Sequence, residues 1–208
     1  YKNQKCGTFG DIGILSFNGN KIITTSGGGA IVTKTAALKE KAIFYATQSR
    51  DNAPHYQHSE IGYNYRMSNI CAGIGRGQME VLDKHVALRR HMHDFYVELF
   101  ETIEGVNVLE APNEDYFANY WLSAITIDTT KTKGITAETL RLALDAENIE
   151  SRPLWKPMHL QPIFSTYPYY GTTIAEQLFK NGLCLPSGSN LTDADRKRIA
   201  KVILQVFG

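Results

Sequence analysis

The chain has 208 residues, of which 43% are hydrophobic and 21% charged, and its formal net charge is +1. These values are ordinary for a soluble globular protein, and the charge gives no reason to expect nucleic acid or an anionic membrane as a partner. No apolar run approaches the roughly 20 residues that a membrane-spanning helix needs. Cys6, Cys71 and Cys184 are odd in number and lack metal-type spacing. We therefore expect reduced thiols in a soluble, cytoplasmic protein.

The first predicted elements enclose a lysine. The β-rich run Ile12–Phe17 ends at a polar Asn-Gly-Asn turn, Lys21 leaves this turn, and three glycines then precede a second strand, Ala30–Val32. A lysine amine can form a Schiff base with a carbonyl compound, and the hydroxyl of Ser16 could hold a phosphate group nearby. The alternative is a surface hairpin with a solvated lysine, and the spacing alone leaves both interpretations open.

Two helical patterns follow. Thr35 is expected to cap a helix over Ala36–Ala42. Residues 46–67 have little apolar periodicity, and a loop of this length is usually functional or ordered by a partner. Ser68 is then expected to cap one long helix that runs to Ile103. Glycines at positions 73, 75 and 77 weaken its first turns, which predicts close packing or a surface beside a cofactor.

From about residue 105 the pattern changes to a small α/β unit. Its predicted elements are strands at Val106–Leu109 and Trp121–Ile127, a helix capped by Thr136, a strand at Ile149–Arg152 ended by Pro153, a short helix around Ala175–Lys180, a strand at Leu183–Leu185, and a final helix from Asp193 to Val206 capped by Thr192.

The segment Ser16–Gly29 reads Ser-Phe-x-x-x-Lys-x-Ile-x-Thr-x-x-Gly-Gly. It resembles the cofactor-lysine segment of the DegT/DnrJ/EryC1/StrS nucleotide-sugar aminotransferases, which are pyridoxal phosphate (PLP) enzymes. Further matching stretches follow in the expected order, so that the resemblance covers essentially the whole chain. These stretches are Ile61–Ser68, Gly75–Leu82, Ile149–His159 and Leu183–Gly188.

The resemblance implies an α/β fold, the carboxy-terminal part of an aspartate-aminotransferase-like (fold type I) protein. Residues 1–80 would be a remnant of the PLP-binding large domain, and residues 81–208 a long connecting helix and a small carboxy-terminal α/β domain. In the family pattern the cofactor lysine lies near the middle of a chain nearly twice this long. We therefore expect that this chain is a fragment that lacks the amino-terminal half of the pocket, and that the fragment is inactive in isolation.

By the same resemblance, Lys21 would hold PLP covalently and act as general acid and base, and Ser16 would donate to the PLP phosphate. Asn64 would reach the cofactor phosphate of the neighbouring subunit in a homodimer. The structural alternatives are an ordinary strand serine and an asparagine that stabilises its own loop. Arg66 could bind a carboxylate or phosphate, or equally form a structural salt bridge.

A second cluster lies in the stretch Ile149–His159. Arg152 and Lys156 offer charge to a diphosphate, Trp155 offers a stacking or apolar wall, and His159 offers a donor to a sugar. Each of the four could instead serve packing alone. His55 and His58 lack a third ligand of comparable quality, so we assign them to their loop, where they could face substrate, and expect no metal site.

The resemblance implies a PLP-dependent aminotransferase that aminates a nucleotide-linked 4-keto-6-deoxy sugar, with glutamate as the amino donor. The glycine run and Arg152–Lys156 look most like the bacillosamine-type branch, which acts on UDP-linked N-acetyl sugars. A related sugar dehydratase is disfavoured, because those relatives replace the cofactor lysine by histidine. A non-catalytic dimerisation or nucleotide-binding module is a further alternative. The sugar, the nucleotide and the choice between C3 and C4 stay open.

Overall fold

The computed structural model describes residues 1–208, which form six α-helices, six β-strands and two short 3-10 helices. The chain divides into two compact units. The first comprises Tyr1–Asp83 with Asn113–Phe117, and the second comprises Lys84–Pro112 with Ala118–Gly208. No helix combines the length and the apolar character needed to cross a membrane.

The first unit begins with the predicted hairpin. Strands β1 (Ile12–Ser16) and β2 (Gly29–Thr33) pair antiparallel, so that Ser16 lies opposite Gly29 at the end of the ladder from which the Lys21 loop emerges. Helix α1 (Ala36–Ala46) follows, and the side chain of Thr35 accepts a hydrogen bond from the backbone N–H of Leu38. Both strands, the helix and its cap are thus confirmed.

The prediction of one long helix after Ser68 was wrong, because the helical pattern breaks at Val81. Helix α2 (Asn69–Glu80) begins at Ser68, and α3 (Leu82–Phe100) follows after a single residue. The N–H of Val81 bonds to the carbonyl of Gln78 at 3.3 Å, which tightens the last turn of α2. Asp83 lies in the first turn of α3, where a carboxylate favours a new helix start.

The second unit is a four-stranded antiparallel sheet with helices. Its strand order is β3-β4-β6-β5, with β3 at Val106–Val108, β4 at Ser123–Ile127, β5 at Arg152–Pro153 and β6 at Gly182–Leu185. The remaining helices are α4 (Ala137–Ala146), α5 (Ile174–Asn181) and α6 (Asp193–Phe207), and the 3-10 helices are Met158–Leu160 and Pro162–Phe164.

The strand predicted at Ile149–Arg152 is displaced towards the carboxy terminus. The N–H of Ile149 bonds to the carbonyl of Leu144 at 2.9 Å, so that this residue closes the end of α4 instead of entering the sheet. Strand β5 is only two residues long, and Pro153 lacks an N–H group, which restricts it to a sheet edge.

The hydrophobic core lies in this second unit and follows from the period-2 pattern of β4. Ser123, Ile125 and Ile127 are buried, whereas the residues between them are partly exposed. Helices α3, α4 and α6 contribute Tyr96, Leu140, Leu144 and Ile203, which are all fully buried. Each such large apolar side chain contributes about 1.5–3 kcal/mol when it leaves water, so the core fixes the sheet that carries the segment after β5.

Candidate active site

Lys21 lies in the loop that joins β1 to β2, and this loop is closed by its own backbone. The N–H of Lys21 donates to the carbonyl of Asn18 at 3.1 Å, which makes a tight turn just before the lysine. The carbonyl of Phe17 accepts from the N–H of Thr25 at 2.9 Å and from the hydroxyl of Thr24 at 3.1 Å. The lysine is therefore held on a short loop whose two ends are tied together.

The glycine run returns the chain into β2 by a path that side chains would obstruct. Ser26 and Gly28 both have positive φ, 71° and 88°, a backbone region that favours glycine. A Cβ on Gly28 would lie 2.9 Å from Cε of Met67, and one on Gly29 would lie 2.5 Å from the carbonyl oxygen of Leu15. The glycines thus permit close approach at 28 and 29, whereas a Cβ on Gly27 would meet no atom within 4 Å.

Ser16 ends β1 at the same end of the hairpin as the Lys21 loop. Its side chain is exposed, and its Oγ lies 3.5 Å from the backbone N–H of Asn18, at the limit of a hydrogen bond. The side chain of Asn18 donates to Oδ1 of Asn20 at 3.2 Å, which stiffens the polar turn. Ser16 and Lys21 therefore both lie at the end of the hairpin where β1 leads into the loop.

Asn64 lies in a segment that pairs with the end of α1. The N–H of Tyr63 donates to the carbonyl of Tyr45 and that of Tyr65 to Ala46, both at 3.0 Å. The rings of Tyr63 and Tyr65 stack at a centroid distance of 5.1 Å. The backbone thus fixes Asn64, while its side chain is exposed and makes no hydrogen bond within this chain.

The loop before Asn64 is held by a network of polar side chains. His58 bonds through Nδ1 to the carbonyl of Gln48 at 2.8 Å, and His55 approaches Oε1 of Gln57 at 3.3 Å. Asp51 accepts hydrogen bonds from Ser59 and Gln57, and these bonds lower the pKa of its carboxyl group. Both histidines therefore bind their own loop, and no cluster of three or more metal-ligating side chains is present. Arg66 is exposed and forms no ion pair within the chain.

The four predicted substrate residues of the second unit do not bond to one another. Arg152 pairs with Glu150 at 2.6 Å, and both side chains are largely exposed. Trp155 is 67% exposed, and its ring lies 6.2 Å from that of Trp121. Lys156 is exposed next to it in the chain.

His159 is engaged more firmly than the sequence suggests. Its Nε2 lies 3.0 Å from Oε1 of Glu176 in α5, and its ring stacks on Tyr169 at 3.6 Å. The imidazole is only partly exposed. His159 thus links the segment after β5 to α5. If His159 also donates a hydrogen bond to a sugar, it must do so while it keeps this structural contact.

Sequence reasoning missed two polar residues that support these segments. Oε1 of Gln78 in α2 accepts from the N–H of Thr24 at 3.2 Å. Arg89 in α3 donates from one guanidinium nitrogen to the carbonyls of Trp121 and Ser187, at 2.6 and 2.9 Å. Gln78 lies three residues after Gly75, on the same face of the helix, and this spacing was the one feature of the sequence that could have pointed to Gln78. Arg89 carried no such signal, because its partners are backbone carbonyls far along the chain.

The comparison with known proteins decides the family. The profile of the DegT/DnrJ/EryC1/StrS aminotransferase family matches residues 1–204. The chain belongs to this family.

Individual relatives agree with this assignment. EpsN of Bacillus subtilis, whose name assigns it provisionally to the PLP-dependent aminotransferases, is 47% identical in an alignment of 214 positions that covers 100% of this chain and 53% of EpsN. GDP-perosamine synthase of Escherichia coli O157:H7 is 37% identical over 93% of this chain and 51% of its own length. The chain thus spans about half the length of these relatives.

A solved structure of a family member shows the same fold. The aminotransferase of this family from Brucella abortus is 27% identical and matches 100% of this chain and 54% of its own chain, with a TM-score of 0.85. PseC of Helicobacter pylori matches with a TM-score of 0.88 at 22% identity, which shows the fold alone. The predicted α/β fold of a PLP aminotransferase is confirmed.

Aminotransferases of the DegT/DnrJ/EryC1/StrS family depend on PLP, and the chemistry of the Lys21 loop fits this cofactor. A primary amine can bind its aldehyde carbon covalently, and a hydroxyl can donate to its phosphate. Lys21 and Ser16 provide these two groups from one end of the hairpin, with open space beside Gly27. The residues present therefore fit the amine-binding and phosphate-binding parts of the cofactor.

Proposed function

We propose that this chain is the carboxy-terminal part of a PLP-dependent aminotransferase that transfers an amino group from L-glutamate to a nucleotide-linked 4-keto-6-deoxy sugar. The enzyme would act in the cytoplasm as a homodimer and serve the synthesis of sugars for surface glycans or glycoproteins. The observation that carries the proposal is a lysine, Lys21, on a backbone-closed loop that follows the strand end at Ser16, in a chain of this family.

In this proposal, residues 1–80 belong to the large domain that binds PLP, and residues 81–208 comprise the connecting helix and the small domain. Lys21 would hold the cofactor through its amine and would act as general acid and base, moving a proton between carbon atoms. Ser16 donates its hydroxyl hydrogen to the phosphate. When bound, PLP supplies the electron sink for this chemistry, and the protein supplies position and electrostatics.

Asn64 is proposed to reach the cofactor phosphate of the second subunit. Its support is the fixed backbone of the 63–65 segment together with an exposed amide that bonds to nothing in its own chain. Arg66, two residues later, offers an exposed guanidinium to the same phosphate or to a substrate carboxylate. The proposed role of Asn64 belongs to a homodimer, since the phosphate that it would reach is bound by the second subunit.

The substrate wall is proposed to consist of Arg152, Trp155, Lys156 and His159. Two cations suit a diphosphate, and the exposed indole of Trp155 suits stacking on a flat group. Names of relatives support a nucleotide sugar as substrate, since they include a GDP-perosamine synthase at 37% identity and a UDP-4-amino-4,6-dideoxy-N-acetyl-beta-L-altrosamine transaminase at 24%. We propose UDP as the nucleotide from the branch resemblance, with GDP as the competing candidate.

Replacement of the lysine tests the central assignment. In the full-length protein, Lys21→Ala should abolish both turnover and the visible absorbance of lysine-bound PLP, because no other group at the loop can bind the cofactor covalently. Lys39→Ala removes an exposed lysine on α1 and serves as the matched control that keeps both signals. Turnover that survives in Lys21→Ala would contradict the proposed function.

A panel of substrates tests the finer part. The full-length protein should aminate a UDP-linked 4-keto-6-deoxy N-acetyl sugar faster than the GDP- or dTDP-linked 4-keto sugars, with glutamate consumed in equal amount. A preference for the GDP-linked sugar would assign the nucleotide differently while leaving the reaction class in place. Nuclear magnetic resonance of the product distinguishes amination at C4 from amination at C3.

A further inference from the structure

The Lys21 loop depends on a hydrogen bond from outside the hairpin. The N–H of Thr24, three residues after the lysine, donates to Oε1 of Gln78 at 3.2 Å in a partly buried contact. The hydroxyl of the same threonine bonds to the carbonyl of Phe17, which closes the loop. Gln78 therefore holds the loop at the residue where its two ends meet, although 54 positions of sequence separate the two partners.

A second contact joins the same helix to the next residue of the loop. Thr25 is 1% exposed, and a Cβ on Gly75 would lie 2.9 Å from its Cγ2. Gly75 and Gln78 are three residues apart in α2 and thus lie on one face of the helix. The absence of a side chain at Gly75 lets α2 approach closely enough for the Gln78 amide to reach Thr24.

We infer that Gln78 is a positioning residue, which fixes the Lys21 loop and thereby sets where the lysine amine meets its cofactor and substrate. Its catalytic consequence rests on the proposed function, whereas the contact itself belongs to the protein without cofactor. If the acceptor is lost, the Thr24 N–H must turn to water and the loop gains freedom. A misplacement of about 1 Å far from the reacting atoms can reduce a rate by about 100-fold.

Two substitutions of Gln78 separate the hydrogen bond from packing. Gln78→Met retains an unbranched side chain of similar length and a high helix propensity, but it has no comparable acceptor. Gln78→Glu retains an oxygen acceptor at the same distance from the backbone. The methionine variant should lose the hydrogen bond to Thr24, and the glutamate variant should retain most of its effect on the loop.

Hydrogen exchange measures the contact without any catalysis. In the cofactor-free full-length protein, Gln78→Met should raise the exchange rate of the Thr24 amide by about five- to tenfold, the equivalent of one hydrogen bond. Gln78→Glu should leave it within about twofold of the parent protein. An unchanged Thr24 amide in Gln78→Met would overturn the inference.

Kinetics and spectra measure the consequence for the lysine. Gln78→Met should lower kcat by about 10- to 100-fold and weaken the visible band of lysine-bound PLP, while KM for the nucleotide sugar changes by less than about threefold. Gln78→Glu should recover most of both signals. A wild-type band and kcat in Gln78→Met would overturn the inference even if exchange had increased.

Gly75→Ala provides an independent variant in case Gln78→Met folds poorly. The added methyl group forces Thr25 to shift, yet alanine strengthens the helix itself, so the loop should loosen without loss of α2. Gly77→Ala is the matched control, since a Cβ there meets no atom within 4 Å. Equal Thr24 exchange in both alanine variants would count against the inference.

The outcome for Lys21→Ala keeps the two proposals apart. If Lys21→Ala abolishes turnover while Gln78→Met behaves like the parent protein, the function stands and the role of Gln78 falls. If Lys21→Ala retains turnover, the proposed function falls, and the exchange measurement still decides whether Gln78 fixes the loop.

Discussion

Arg89 and Ser187 are 98 positions apart in sequence, yet a guanidinium nitrogen of Arg89 donates to the carbonyl of Ser187 at 2.9 Å. The same nitrogen donates to the carbonyl of Trp121 at 2.6 Å. Burial lowers the pKa of this guanidinium, and no carboxylate pairs with it. One cation thus fastens the residues before β4 to those after β6 through backbone carbonyls alone.

We expect Arg89→Met to destabilise the second unit by about 1–3 kcal/mol, because two carbonyls would lose a charged donor. Urea unfolding followed by circular dichroism measures this change. Arg141→Met is the matched control, since its ion pair with Glu138 lies within one helix turn and exposed pairs of this type contribute little to stability. Equal effects of the two substitutions would mean that Arg89 is no more than a surface cation.

The phenol of Tyr96 should make stability fall at high pH. Burial raises its pKa above the usual value of 10.0, so the folded protein keeps a proton that the unfolded chain releases. This stabilising contribution is complete below about pH 10 and is lost as the pH rises towards the folded-state pKa. Burial also raises the pKa of Cys184 above 9.0, which adds a weaker decline of the same sign.

Tyr96→Phe should therefore flatten the loss of unfolding free energy above pH 10. At pH 7 it should cost about 1 kcal/mol, because Pro186 loses the hydroxyl that donates to its carbonyl at 2.8 Å. Tyr170→Phe, at a position that is 88% exposed, should change neither quantity. A parent protein whose stability is constant from pH 9 to pH 11 would contradict this prediction.

The two roles proposed for His159, a contact with Glu176 and a hydrogen bond to the sugar, predict different results for its variants. If its main partner is Glu176, then His159→Gln and Glu176→Gln should raise proteolysis of residues 160–173 to a similar extent. If His159 also donates to the sugar, only His159→Gln should raise KM for the nucleotide sugar, by about tenfold for one lost hydrogen bond to substrate. Limited proteolysis and steady-state kinetics on both variants and the double variant provide the comparison.

Gly73→Ala should stabilise helix α2. A Cβ at this position meets no atom within 4 Å, so alanine brings a better helix propensity without a steric cost. The expected gain is about 0.5–1 kcal/mol, measured as a rise in the urea midpoint. A loss of stability would show that another part of the protein or a partner covers this face of α2.

The local elements of this fold were largely predictable from sequence. Thr35, Ser68, Thr136 and Thr192 each cap the helix that follows, because a hydroxyl acceptor beside unpaired N–H groups acts over three residues. The break at Val81 was not predictable, since the periodic apolar pattern continues through it. The short β5 was not predictable either, because the hydrogen bond from Ile149 to Leu144 at the end of α4 keeps Ile149 out of the sheet.

The sequence by itself identified Lys21, Ser16 and the glycines before β2, because these residues lie within a segment of 14 residues that resembles one family. Only the tertiary structure decided which distant groups hold them. Of the three glycines in α2, Gly75 alone meets the loop, and Gln78 reaches Thr24 only because that close approach exists. His159 was predicted as a donor to a sugar, with packing as the alternative, and the structure shows that Glu176 of α5 contacts it. Such contacts depend on how elements far apart in sequence pack, and no local pattern of residues encodes that arrangement.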